Sequence, residues 1–197
     1  RAISAYFHYM RYDALPLCEV ELGMRKILEN RYPDYPYASR VLQYGRYAHH
    51  LDRWFQYFPR DQMLVLLHDE IFRNPQESMQ RVHDFIGIGD THRSGNLNRR
   101  SQMVVYSLPR LQFLRLRTPF VFRWSKDRMA STWRFGRFSR ALWYGFEAID
   151  RYILARFYPN EKPVLSPCLW NDLADFYRED VHRLSELLEG KELPWTF

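Results

Sequence analysis

Cysteine is scarce. The two present, Cys18 and Cys168, lie 150 positions apart in no CxxC or metal-ligand spacing, which weighs against a zinc or thiol-redox centre. A reduced, intracellular chain is the simplest reading, with one long-range disulfide left open. Lysine is also scarce: Lys26, Lys126, Lys162 and Lys191 are the only ones among 29 cationic residues, so the cations are almost all guanidinium. Guanidinium suits flat, two-pronged anion contacts. The net charge of +6 favours an anionic ligand or surface only weakly. No run of 18 apolar residues exists, so no membrane span is expected. The chain opens at Arg1 without Met and without the apolar core of a signal peptide, as the interior of a longer polypeptide would. No internal repeat or low-complexity segment appears. With 46% apolar residues, the chain has enough to bury one core, which excludes global disorder.

The periodicity is mostly helical. Ile3, Phe7 and Met10 form a stripe that stops at Asp13–Pro16, and Val20, Met24, Ile27 and Leu28 share a face in a helix over 19–30. A Tyr- and Pro-rich loop follows. Tyr47, Leu51, Trp54, Phe55 and Phe58 predict a long helix from Tyr44, stopped by Pro59. The period then changes: residues 62–68 (Gln-Met-Leu-Val-Leu-Leu-His) form a short apolar run, right for a strand buried on both faces. Asn74-Pro75 opens a helix with Met79, Val82 and Phe85 on its inner side and Gly87 as its stop. Residues 90–100 read as a loop. Over 101–135, Leu108, Leu111, Leu114 and Phe120 suggest one side of broken helices, because Pro109 and Pro119 forbid a continuous one. Residues 138–157 place Leu142, Phe146, Ile149, Ile153 and Phe157 on one helical side. Ser166-Pro167 caps a helix through Phe176, and a further helix spans 181–188.

A strand buried on both faces needs partners, because an unpaired buried backbone group costs about 1–3 kcal/mol. Nothing else in the chain competes strongly for strand, although 102–106 is an alternative. The expectation is therefore the helix-rich C-terminal part of a larger α/β domain, its sheet completed by residues upstream of Arg1 or by another chain.

Four stretches in order carry a family resemblance. Residues 1–9 (Arg-Ala-Ile-Ser-Ala-Tyr-Phe-His-Tyr) resemble a 3′-phosphate motif, "RAxSxYxHY". Residues 44–54 resemble a "YGxYxxHLxxW" helix. Residues 58–70, with Asn74-Pro75 and Phe85–Ile88, resemble "FPrdQlLvlxxEdLxxxPxxxlxxixxFLGl". Lys162–Pro167 and 184–195 resemble "kPxLsPxl…LxeLlGxdLpxW". The series is similar to the sulfotransferase superfamily, especially the bacterial and heparan-sulfate-type members that use 3′-phosphoadenosine 5′-phosphosulfate (PAPS). The resemblance covers about 1–100 and 160–195. It implies an α/β, P-loop-kinase-like fold with a central parallel sheet and flanking helices, residues 1–197 being one partial domain: 1–100 the phosphate helix and helix-strand-helix core, 101–160 a helical insertion or lid, and 161–197 the C-terminal helices.

The resemblance also implies site residues. Ser4, in the first turn of a helix where free N–H groups favour phosphate, matches the serine that binds the 3′-phosphate of PAPS or of its product PAP. Alone, such a serine is an ordinary helix cap. Arg1 is the motif's second arginine and takes a supporting role. Tyr44 matches a position that meets adenine, which a phenol can stack on and hydrogen-bond; otherwise it is a core tyrosine. Arg93, Arg99 and Arg100 fall where relatives close a basic loop over the cofactor phosphate, and read otherwise as solvated charges. His49, His50 and Trp54 read as structural, since adjacent histidines do not share a helical face for a metal. Glu70 matches a structural carboxylate. Relatives place the lysine of their "PKTGTT"-like 5′-phosphosulfate loop and the catalytic His or Glu upstream of the 3′-phosphate motif, so no catalytic residue is assigned within 1–197.

Two readings compete. One is a PAPS-dependent sulfotransferase acting on a hydroxyl or amine of a glycan, a small alcohol or a carrier-bound acyl chain. The other is a catalytically inactive sulfotransferase-like scaffold subunit whose 101–160 arginines and aromatics face protein or lipid neighbours. Nucleic acid is not expected, because the arginines lie on no recognisable reading motif.

Overall fold

The computed structural model describes residues 1–89, 104–134, 136–189 and 193–195. The chain divides into two compact units, Arg1–Arg46 with Val104–Arg178, and Tyr47–Met103 with Glu179–Phe197.

The first unit is built around helix α1 (Ala2–Arg11), which buries Ile3, Tyr6, Phe7 and Met10 on the expected stripe. Full burial of each large side chain is worth about 1.5–3 kcal/mol. Helix α2 (Val20–Leu28) supplies Val20, Met24 and Ile27 to the same core. It approaches α1 closely at Gly23, where a Cβ would lie 1.8 Å from the Tyr6 hydroxyl oxygen. The expected Tyr- and Pro-rich loop contains a helix, α3 (Tyr37–Gln43), because Ala38, Val41 and Leu42 follow Pro36 at helical spacing and pack into the core.

In the ambiguous region, prolines sit in the first turns of α7 (Leu108–Arg115) and α8 (Thr118–Val121), as expected for broken helices. Leu111 and Leu114 are buried, while Phe120 is exposed. The sheet lies here and not in the sixties. β1 (Phe122–Trp124) pairs antiparallel with β2 (Ser131–Trp133), and Phe122 faces Trp133. Strands of three residues are too short for alternation to show in the sequence.

Helix α9 (Arg137–Ile149) runs through a π-turn (Asp150–Leu154) into the short α10 (Ala155–Phe157). Its buried side is not the predicted one. Ser139 and Asp150 are buried, Leu142 and Phe146 are half-buried, and Ile149, Ile153 and Phe157 face out. Two ion pairs explain the rotation. Arg110 of α7 donates to both carboxylate oxygens of Asp150, each at 2.7 Å. Arg117, almost wholly buried, lies 2.7 Å from Glu147 and 3.7 Å from the Trp143 ring centre. Polar anchoring decides which side faces in.

Pro167–Leu187 forms one helix, α11, and not the two expected, since residues 177–180 contain no breaker. Ser166 caps it: its hydroxyl accepts from the Leu169 N–H at 3.2 Å and donates to Glu21 at 2.9 Å. Cys18 and Cys168 are free thiols, so the disulfide alternative is not realised.

The second unit contains α4 (Tyr47–Phe55), a 3₁₀ turn (Arg60–Gln62), α5 (His68–Arg73), α6 (Pro75–Ile86) and residues 179–187 of α11. Its core is small: Ala48, Leu184 and Leu187, with Leu51, Phe55, Leu188 and Leu193 against them. Gly87 stops α6 at a φ of 72°, as its position implies. The expected strand at 62–68 is a correction. The backbone is extended at Met63 and Leu67, but residues 63–67 join no ladder, and no parallel sheet exists among the described residues. A strand is defined by its neighbours, and none among the described residues pairs with it. The apolar face expected on α6 is correspondingly open: Met79 and Val82 are half-buried and Phe85 is exposed.

Candidate functional site

Helix α1 starts with Arg1 at its N-cap, no side-chain cap among the described residues and no acidic group in its first turn. No acidic side chain of these residues therefore offsets the partial positive charge of the first turn. Ser4 stands in this turn, half-buried, with its Oγ 3.0 Å from the phenol oxygen of Tyr106. Tyr106 is itself fixed. Its N–H donates to Asn160 Oδ1 at 2.7 Å, and Asn160 Nδ2 donates to the Val104 carbonyl at 2.8 Å. The Tyr106 ring also packs edge-on against Phe7 at 5.2 Å. Asn160 serves residues 104–106 as a partner strand would. A hydroxyl has one hydrogen, so when Tyr106 donates to Ser4, the Ser4 hydrogen is free for an outside acceptor.

Positive charge gathers at the same helix end. Arg1 and Lys162 are both exposed, and the lysine's charge reaches the start of α1. Tyr44, at the C-terminal end of α3, is 39% exposed. Burial raises the Tyr9 phenol above its ordinary value; Tyr44 adds to the rise, while Arg40 and Arg1 oppose it. The Tyr9 ring packs 5.1 Å from Tyr37. Arg40 lies over that second ring at 4.4 Å. Of the sequence-derived residues, Ser4 is joined to Tyr106, while Arg1 and Tyr44 are exposed. Arg93, Arg99 and Arg100 lie outside the described residues.

Tyr106, Asn160 and Lys162 were not assigned roles from sequence. Asn160 follows Pro159 in an ordinary turn signal, and nothing in the sequence points it at Val104. Other carboxylates hold backbone groups. Asp180 accepts the N–H groups of Ala48 and His49, each at 3.1 Å, and so caps α4. Glu70 accepts the Leu67 N–H at 3.2 Å and lies 3.5 Å from Arg81. Among the described residues no three His, Cys, Asp or Glu side chains are grouped to hold a metal.

A helix first turn with a donor hydroxyl and nearby cations can hold a phosphate. The comparisons bear on the same stretch. The sulfotransferase domain matches residues 1–126, a span that includes Ser4, Tyr44 and Tyr106. The chain is 40% identical over 50 residues to human bifunctional heparan sulfate N-deacetylase/N-sulfotransferase 2, covering 25% of this chain and 6% of that protein. It is 38% identical over 48 residues to mouse heparan sulfate glucosamine 3-O-sulfotransferase 3B1, covering 24% of this chain and 12% of that protein. These alignments therefore span a small part of either relative. No solved structure matches the chain significantly. With well over half of its residues matched by the family, the chain belongs to the sulfotransferase domain family, which implies a P-loop-like fold.

Proposed function

We propose that this chain forms the 3′-phosphate side of a PAPS-dependent sulfotransferase that moves a sulfuryl group to a hydroxyl or amine acceptor. The observation that carries the reading is the Ser4 hydroxyl in the first turn of α1, joined to Tyr106 at 3.0 Å. Ser4 donates to the 3′-phosphate alongside the first-turn N–H groups, and Arg1 and Lys162 supply compensating charge. Tyr44 meets the adenine, and Arg99 and Arg100 close over the phosphate. Bound PAPS supplies the activated sulfuryl group; the residues here bind and orient its nucleotide end. The 5′-phosphosulfate loop and the base that takes the acceptor proton come from residues other than these 197.

The same reading accounts for the bare segment at 63–67. It is extended without a ladder, and Ile71, Phe72, Phe85, Ile86 and Ile88 of its unit are each at least 40% exposed. Strands from an upstream segment or another chain complete the sheet there.

The test is calorimetric titration of PAP into the protein containing this chain, comparing wild type with Ser4→Ala and Tyr44→Phe. Ser4→Ala weakens binding by about 1–3 kcal/mol if it loses a hydrogen bond to a charged group. Equal affinity removes Ser4 from the site. No binding by the folded wild type favours the inactive scaffold.

A further inference from the structure

The outward face of α9 to α10 is apolar, aromatic and basic. Phe138, Tyr144, Tyr152 and Phe157 are 63–72% exposed, and Ile149 and Ile153 lie among them at 40% and 52%. Arg137, Arg140, Arg151 and Arg156 are exposed on the same run, and none is in an ion pair among the described residues. The run has two acidic residues, and both turn inward, Glu147 to Arg11 and Arg117 and Asp150 to Arg110. The ion pairs that rotate the helix thus take every negative charge off its outer side and leave large apolar groups in water. Such exposure costs free energy unless something covers it.

We propose that this face docks on an anionic lipid surface, with the helix lying in the plane of the interface. Charge complementarity selects the partner: the exposed charges of the run are of one sign, and they alternate with tyrosine and phenylalanine. Arginine and tyrosine keep polar ends at headgroup level while apolar side chains enter the acyl boundary. A polyanion in water would use the arginines but leave Phe138, Ile149 and Phe157 uncovered. Spanning is not involved, since no helix among the described residues is long and apolar enough to cross a membrane. The proposal rests on this face alone and does not depend on nucleotide binding.

The experiment is vesicle flotation of the protein with phosphatidylcholine vesicles, with and without 30 mole per cent (about one lipid in three) phosphatidylglycerol, a content chosen to give a strongly anionic surface. Binding is expected only to the anionic vesicles and is expected to weaken as salt is raised. Arg151→Gln/Arg156→Gln lowers the partition coefficient about 25-fold, each arginine near such a surface contributing about fivefold. Phe138→Ser/Tyr152→Ser, at exposed positions and checked for an unchanged melting curve, also lowers it. Arg53→Gln/Arg73→Gln is the matched-charge control and has no larger effect than its change in net charge. Equal losses for the control and the helix arginines would overturn the proposal, as would absence of vesicle binding. Two further outcomes would also overturn it: a dimer dissolved by Phe138→Ser/Tyr152→Ser, which assigns the face to a second copy, and oligonucleotide binding insensitive to that variant, which assigns the arginines to a polyanion.

Discussion

The Ser4 hydroxyl oxygen lies 3.0 Å from the phenol oxygen of Tyr106, 102 positions later in the chain. When Tyr106 donates, the serine hydrogen is left for the ligand, so the two residues should be coupled in ligand binding. Tyr106→Phe is expected to weaken PAP binding by less than Ser4→Ala does, because the serine keeps its own donor but loses its orientation. In the double variant the tyrosine change should add little to the serine change. Calorimetry on the four proteins of this cycle measures the coupling, and additive effects would mean that the two hydroxyls act independently.

Gly23 is a packing requirement. A Cβ there would meet the Tyr6 Oη at 1.8 Å and its Cζ at 2.4 Å, deep in the core where neither helix can give way freely. Gly23→Ala should therefore destabilise the fold by about 1–3 kcal/mol or more despite its better helix propensity. Tyr6→Phe in the same chain relieves only part of the loss, since the ring carbon is also too close. Urea unfolding midpoints for the single and double variants check both statements.

The Arg110–Asp150 pair is buried on both sides and doubly hydrogen-bonded. Removing one partner leaves the other charge stranded, so Asp150→Ala should cost about 3–5 kcal/mol. Replacing both with apolar residues, as in Arg110→Met/Asp150→Leu, should cost much less in stability. It should also loosen the π-turn, which amide hydrogen exchange across 150–154 would register.

What could be read from the sequence follows from what periodicity encodes. The α1 and α2 stripes were legible because their apolar side chains meet other residues of this chain, and Pro109, Pro119, Gly87 and Ser166 marked helix ends by local chemistry. The segment at 63–67 reads as a strand but is only extended, because an apolar run encodes extension and burial but not the neighbour that makes a ladder, and no such neighbour lies among the described residues. The buried side of α9 was missed because Arg110 and Arg117, distant in sequence, pull Asp150 and Glu147 inward against the hydrophobic pattern. At the candidate site, Ser4 and Tyr44 came from their motifs. Tyr106 and Asn160 did not, since a single long-range hydrogen bond leaves no periodic trace.

The Tyr6 phenol makes stability sensitive to alkali. It is fully buried and donates to the Cys18 carbonyl at 2.9 Å. Burial, then the Cys18 charge, push its pKa well above the ordinary tyrosine value, and burial followed by Cys18 also pushes Tyr32 up to about 12. Below pH about 10, where a tyrosine in the unfolded chain titrates, both states hold these protons and stability does not depend on them. Above it the unfolded chain releases protons that the folded chain keeps, so the unfolded state binds fewer and stability falls with pH. For Tyr6 the slope is about 1.4 kcal/mol per pH unit. Tyr32 adds to the fall between about 10 and 12 and then ceases to contribute. Tyr6→Phe should be less stable at neutral pH through the lost hydrogen bond and should show a shallower decline above pH 10 in urea unfolding. An unchanged decline would place the alkaline sensitivity elsewhere.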